Sequence, residues 1–277
     1  MKIIYEEDFS SSLKEMLDKH HYWIFAWECD PGDHEDADIF DRIEKLENGI
    51  KIKHLEGDQD VFKSGLNSRT ELRPNKYKLD VGKEYIVEAR VKFTMKIGAE
   101  FLQIMGRYKN GDAHPLLQLE SRGDNINSRY KVYNANKWSY REKILDREDA
   151  DGLWTVHFKA DPDPNKGFIR IYKDKKIIWE KVYKTYEENN KNQLWIQYGI
   201  YKNTGTDDYQ EIIYKNIGIY EPKPGFSYKG QLHQENREVK EKEQIEIREE
   251  QKNPETKTII FTKKDLEYMN LELRLKN

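Results

Sequence analysis

A chain of 277 residues with Lys+Arg 48 against Asp+Glu 51 carries a net charge of only -3, so no global basic field exists to gather polyanions. That balance excludes nucleic acid as the expected partner and makes any anion recognition local. Cys29 is the single cysteine, which excludes an intramolecular disulfide, and no apolar run approaches the roughly eighteen residues of a membrane span, so no membrane partner is expected.

Met1 to Glu7 contains a short strand, Lys2-Ile3-Ile4-Tyr5, that runs into acidic residues, with nothing resembling the charged and apolar halves of a leader. The compartment is left open. Ser11 to Lys19 is the one segment that reads as helix. Asp30, Asp33, His34, Glu35, Asp36 and Asp38 form an acidic loop, read as solvated in preference to a calcium site, and Trp23 and Trp27 beside it read as core in preference to sugar platforms. Asn48-Gly49 then opens an alternating run in which Ile50, Ile52 and His54 share a face.

Ser68-Arg69-Thr70-Glu71-Leu72-Arg73-Pro74 follows. As an extended segment it projects Arg69, Glu71 and Arg73 to one side and Thr70 and Leu72 to the other. A Glu between two Arg stays ionised and fixes both guanidinium groups, and such a plate suits bidentate recognition of carboxylates or sulfates. The alternative is a solvated edge strand of alternating charge.

Tyr85 to Phe93 alternates cleanly, with Tyr85, Val87, Ala89, Val91 and Phe93 on one face and Glu88, Arg90 and Lys92 on the other. Further strands are predicted at Glu100 to Arg107, Pro115 to Glu120, Tyr130 to Tyr133, Leu153 to Lys159, Phe168 to Lys173, Lys176 to Val182, Leu194 to Lys202 and Glu211 to Tyr220. Lys173-Asp174-Lys175-Lys176 reads as a hairpin connection. Strands at this frequency with almost no helix predict an all-β sandwich of two antiparallel sheets, of the jelly-roll kind. After Pro222-Lys223-Pro224-Gly225 the composition turns to Glu, Lys, Gln and Arg, so residues 1–222 are expected to form the domain and 223–277 a charged C-terminal extension.

With the strands placed, the chain resembles the heparin-lyase-I-like and alginate-lyase-like polysaccharide lyases, which are concanavalin-A-like β-jelly rolls. The similarity is carried in order by Arg69-Thr70-Glu71-Leu72-Arg73, Gln103-Ile104-Met105, Trp154 to Phe158 leading into Gly167 to Trp179, Trp195-Ile196-Gln197-Tyr198-Gly199-Ile200-Tyr201, and the closing strand Ile212 to Tyr220. The resemblance implies β-elimination on a uronate-containing, acidic polysaccharide in a cleft on the concave sheet, with no metal and no cofactor. Such a reaction needs the uronate carboxylate neutralised, a base for the C5 proton and an acid for the departing glycosidic oxygen.

Carried over by position, Arg69 and Gln103 neutralise the carboxylate and Tyr201 is the catalytic tyrosine. Glu71, Arg73, Arg107, Gln197, Gln118 and Trp195 are expected to bind substrate. Alternation within the two central segments puts Phe101, Gln103, Met105 and Arg107 on one face, and Trp195, Gln197, Gly199 and Tyr201 likewise on one face. The family's histidine falls on Met105 and its lysine on Gln197, neither of which titrates. Tyr201 would then both take and return the proton, or His114, on a loop folding over the cleft, would replace the missing base. His157, on the polar face of its strand, is a further cleft candidate. Gly167, Gly199 and Gly218 read as strand kinks or bulges in preference to points of substrate approach. Glu120-Ser121-Arg122 with Asp124 lacks the i, i+2, i+4 acids of jelly-roll glycoside hydrolases. Three functions follow: a lyase, a carbohydrate-binding protein on a lyase-like fold, and an adhesion module assembled through the tail.

Overall fold

Period-two alternation dominates the chain, and strands follow it in the computed structural model, which describes residues 1–20, 22–25, 41–55, 68–94, 98–107, 113–132, 140–187, 193–202, 209–226, 246–247 and 259–260. In chain order these are β1 (Lys2–Glu7), α1 (Leu13–His20), β2 (Tyr22–Phe25), β3 (Ile43–Leu46), β4 (Gly49–His54), β5 (Ser68–Pro74), β6 (Leu79–Asp80), β7 (Glu84–Phe93), β8 (Glu100–Arg107), β9 (Ala113–Arg122), β10 (Asn125–Tyr130), β11 (Tyr140–Asp146), β12 (Gly152–Lys159), β13 (Phe168–Lys173), β14 (Lys176–Val182), β15 (Gln193–Lys202) and β16 (Gln210–Glu221). The acidic loop, Trp27 and the segment Leu266 to Leu275 lie outside the described residues.

Two antiparallel sheets form a β-jelly-roll sandwich. Sheet A runs β14-β13-β12-β7-β16-β4-β3, with β1 also pairing β16, and sheet B runs β11-β10-β9-β8-β15-β5-β2, with β6 also pairing β15. The inward faces meet in one core that includes Val87, Ala89, Trp154, Val156 and Ile219 from sheet A and Leu72, Ile104, Leu119, Ile196 and Ile200 from sheet B. Each large side chain removed from water in this way contributes roughly 1.5–3 kcal/mol.

Local chemistry fixes the ends of several elements. Helix α1 begins at a capping box: the Glu15 backbone N–H donates to Ser12 Oγ at 3.3 Å, and the Glu15 carboxylate accepts from the Ser12 backbone N–H at 3.0 Å. In the β13–β14 hairpin, Asp174 (φ 47°) and Lys175 (φ 73°) take the paired positive φ values of the turn that matches strand twist.

One strand lies earlier than its sequence suggests. The strand expected over Tyr130 to Tyr133 is instead Asn125–Tyr130, because the Gly123 turn sends the chain straight back along β9, pairing Asn125 with Arg122 and Tyr130 with Leu117. β2, β3, β6 and β11 also carry too few alternating apolar residues to stand out in the sequence.

By backbone contacts the chain divides into two units, Met1–Gln231 and Leu232–Asn277. Within the second, Glu246–Ile247 pairs antiparallel with Ile259–Ile260.

Candidate active site

Sheet B has one face against the core and one turned away, and the chemistry collects on the latter. On β15, Leu194, Ile196, Tyr198 and Ile200 point into the core, so Trp195, Gln197 and Tyr201 point outward. Register extends this outer row across neighbouring strands. Tyr201 pairs with Arg69 of β5 on one side and with Glu100 of β8 on the other, and Glu100 pairs with Glu120 of β9. A second row runs Gln197, Gln103, Gln118 and Arg129 from β15 to β10.

Arg69 Cζ lies 5.4 Å from the centroid of the Tyr201 ring, and its Nη1 lies 3.9 Å from the Glu71 carboxylate. Glu71 is 1% exposed. Its other carboxylate oxygen accepts from Gln103 Nε2, and Gln103 Oε1 in turn accepts from Gln118 Nε2 at 2.8 Å. A carboxylate can only accept when ionised, so Glu71 fixes which way both amides face. Gln103 spends one N–H on Glu71 and retains a second for a ligand.

Glu71 reaches Gln103 across the intervening strand because its partner on β15 is Gly199. Gly199 holds φ at 140°, where only glycine is comfortable, and a Cβ built there would run into the backbone of Thr70. The reading of Gly199 as a bulge matches the break in β15–β8 register between Tyr198 and Tyr201.

At the other end of the row, Arg73 Cζ sits 4.3 Å and Arg107 Cζ 5.4 Å from the Trp195 ring, whose Nε1–H donates to Gln197 Oε1 at 2.9 Å. Burial, and then the Arg107 charge, lowers the Arg73 guanidinium to about 10. Two cations are thus held on one indole.

Three expectations need correction. Phe101 does not share the face of Gln103: it packs edge-on against Phe93 (5.0 Å) and Trp154 (5.4 Å) in the core. The cause is a bulge in β8, where Glu100 and Leu102 pair with Glu120 and Leu119 and Phe101 is the extra residue. His114 is in β9, not on a loop, and pairs with Gly106, itself opposite the core residue Leu194. That register places it on the opposite side of the sheet from the glutamine row, and burial holds its imidazole down at about 4. His157 belongs to sheet A, where it contacts Glu84 at 3.3 Å and Phe168 edge-on, apart from the outer face of sheet B.

The β8 bulge has the opposite effect on Glu100. Alternation counted back from Gln103 points Glu100 inward, so sequence reasoning missed it, yet the extra residue turns it outward beside Tyr201. Glu100 is 1% exposed, and burial followed by the neighbouring Glu120 charge raises its carboxyl to about 8. Arg129 Nη1 stands 3.4 Å from Glu100, while Arg141 binds Glu120 through two bonds of 2.7 and 3.1 Å.

Tyr214 holds the bulge open. From the core side its hydroxyl donates to the Phe101 carbonyl and accepts from the Gly199 N–H at 3.1 Å, pairing backbone groups that the broken ladder releases.

Among the described residues no group of three or more His, Cys, Asp or Glu gathers to hold a metal ion, and no helix is long and apolar enough to cross a membrane. No protein-family model and no curated protein sequence matches the chain. Solved structures do match. A family 7 alginate lyase, A1-II′, substituted at two positions and in complex with substrate, is similar with TM-score 0.56 at 11% identity, over 77% of this chain and 97% of that one. Another structure of that lyase gives 0.54 at 13% identity, over 75% and 97%. A β-1,3-glucanase from Mycobacterium marinum gives 0.50 at 8% identity, over 79% and 99%. The chain therefore has the β-jelly-roll fold that alginate lyases and this glucanase share.

Proposed function

We propose that the chain is a polysaccharide lyase that cleaves an acidic, uronate-containing polysaccharide by β-elimination on the outer face of sheet B. The observation that carries the reading is the cross-strand pair Arg69 and Tyr201, a fixed cation beside a partly buried phenol, on the same face as the anchored Gln103. The β-jelly-roll fold shared with the alginate lyases supports it.

The chemistry assigns each group a task. Arg69 and the second N–H of Gln103 bind the uronate carboxylate and draw charge from C5, which acidifies the C5 proton. Tyr201, as the phenolate, takes that proton. The C5–H electron pair becomes the C4=C5 double bond, the bond from C4 to the glycosidic oxygen breaks, and the oxygen receives the proton from Tyr201. The phenolate is regenerated, so no net proton is consumed. Arg73 and Arg107 on Trp195 offer a further anionic subsite, suited to a chain that repeats its charge. With Met105 and Gln197 unable to titrate, Tyr201 carries both proton transfers.

The test is a panel of uronate polysaccharides with wild type and Tyr201→Phe assayed together for unsaturated product. Binding without product, abolished by Arg69→Ala, would indicate the carbohydrate-binding alternative on the same face.

A further inference from the structure

The bulge in β8 places a buried acid where the lyase reaction is most sensitive to charge. Tyr201 must ionise, and its two cross-strand neighbours are a guanidinium, Arg69, and a carboxyl, Glu100. If Glu100 were ionised, its charge would oppose the phenolate and cancel what Arg69 supplies. If it were neutral, that opposition would be absent.

We propose that Glu100 is a positioning residue for Tyr201: as the neutral acid it lets Arg69 stabilise the phenolate, and its ionisation raises the pH at which Tyr201 gives up its proton. The proposal rests on the lyase reading and deepens it, since it sets the pH range in which the same site works. Glu100 does not touch substrate and keeps its proton throughout the cycle.

Three independent features converge on it. Glu100 is buried, which disfavours its charged form. Glu120, its partner on β9, is a second acid, held in place beside it by the two bonds from Arg141. Tyr214 ties down the bulge that brings Glu100 to this side. The charged and titratable groups that face Glu100 among the described residues are Glu120 of β9, Arg129 of β10, Glu71 and Arg69 of β5, and Tyr201 of β15. Arg129, partly solvated at 3.4 Å, works against the proton, whereas burial, Glu120 and Glu71 retain it, and the balance leaves the group at about 8.

An ionised carboxylate one strand away, at an effective dielectric near 20, opposes a phenolate by about one to two pH units, or roughly tenfold to a hundredfold. The experiment compares wild type with Glu100→Gln, a neutral variant of the same shape, by the ratio of unsaturated-product rate at pH 9 to that at pH 6.5. The ratio is expected to be lower in wild type than in Glu100→Gln by up to roughly tenfold, because an ionised Glu100 withholds phenolate at pH 9 and not at pH 6.5. Glu120→Gln, which withdraws a like charge, is expected to make the shortfall relative to Glu100→Gln appear at lower pH. Matching pH ratios in wild type and Glu100→Gln would overturn the proposal. So would a folded Glu100→Gln that is inactive at both values, because the acid's own proton would then be required.

A substrate-free measurement separates this inference from the reading beneath it. Near-ultraviolet tyrosinate absorbance is titrated for wild type and Glu100→Gln, each against its Tyr201→Phe counterpart. A Tyr201 that ionises at lower pH in Glu100→Gln supports the coupling even if no uronate polysaccharide is cleaved. An unchanged Tyr201 titration overturns it even if the protein is a lyase.

Discussion

Arg69 and Tyr201 face each other across β5 and β15, with the guanidinium carbon 5.4 Å from the ring centroid, and the Glu71 carboxylate lies within 3.9 Å of the same guanidinium. The side chain of Arg69 is 18% exposed, so it is screened from solvent on most sides yet open to a ligand.

Replacing Arg69 separates charge from geometry. Arg69→Ala is expected to lower kcat/KM on the responsive polysaccharide by about 10²–10³, the usual cost of a lost oxyanion donor. Arg69→Lys keeps the charge but not the planar fork and is expected to recover only part of that loss. Steady-state kinetics of both variants would check this, and full recovery by lysine would mean that charge alone suffices.

Trp195 is the shared support of Arg73 and Arg107. Trp195→Ala is expected to destabilise the fold by about 3–5 kcal/mol. Trp195→Phe keeps a ring under both cations and loses the bond to Gln197, at a cost of about 1 kcal/mol. Denaturant unfolding ranks the two, and the order alanine far below phenylalanine is the expected result.

The strand Ser68–Pro74 and the β15 alternation were legible in the sequence because a period of two assigns faces without further information. The β8 bulge was not. Phe101, Gln103, Met105 and Arg107 alternate without interruption on paper, and nothing local distinguishes a regular strand from one that doubles Phe101 and Leu102 onto the core. What decides is Tyr214, more than a hundred residues away on the other sheet, whose hydroxyl satisfies the freed Phe101 carbonyl. For the same reason an alternation count hides Glu100 and leaves His114 reading as part of a loop, since the side each presents depends on register with a partner strand. The tail's polarity was legible; its short paired segment, Ile259–Ile260 with Glu246–Ile247, is too brief to carry an alternation signal.

Tyr214→Phe tests the bulge directly. It removes the hydroxyl that pairs the Phe101 carbonyl and the Gly199 N–H, both buried, and is expected to cost about 1–3 kcal/mol, measured by urea unfolding. Gly199→Ala is expected to cost at least as much, because φ of 140° and the Thr70 backbone both exclude a Cβ.

Stability should depend on pH through Glu100. A carboxyl raised in the folded state to about 8 binds a proton that the unfolded chain, at an ordinary carboxylate value, has already released. Folding therefore loses stability as pH rises through the window between those two values, by up to about 1.4 kcal/mol per pH unit. Glu100→Gln lacks that penalty. Thermal unfolding at pH 5 and pH 9 should show a smaller decline in Tm for Glu100→Gln than for wild type, and parallel declines would count against a buried, protonated Glu100.

The central claim is that Tyr201 performs β-elimination on a uronate chain, and unsaturated-product absorbance measures it most directly. Product from wild type on at least one uronate polysaccharide, reduced by 10² or more in a folded Tyr201→Phe, is the expected result. Equal product from both proteins, or none from wild type on any uronate polysaccharide, would contradict it.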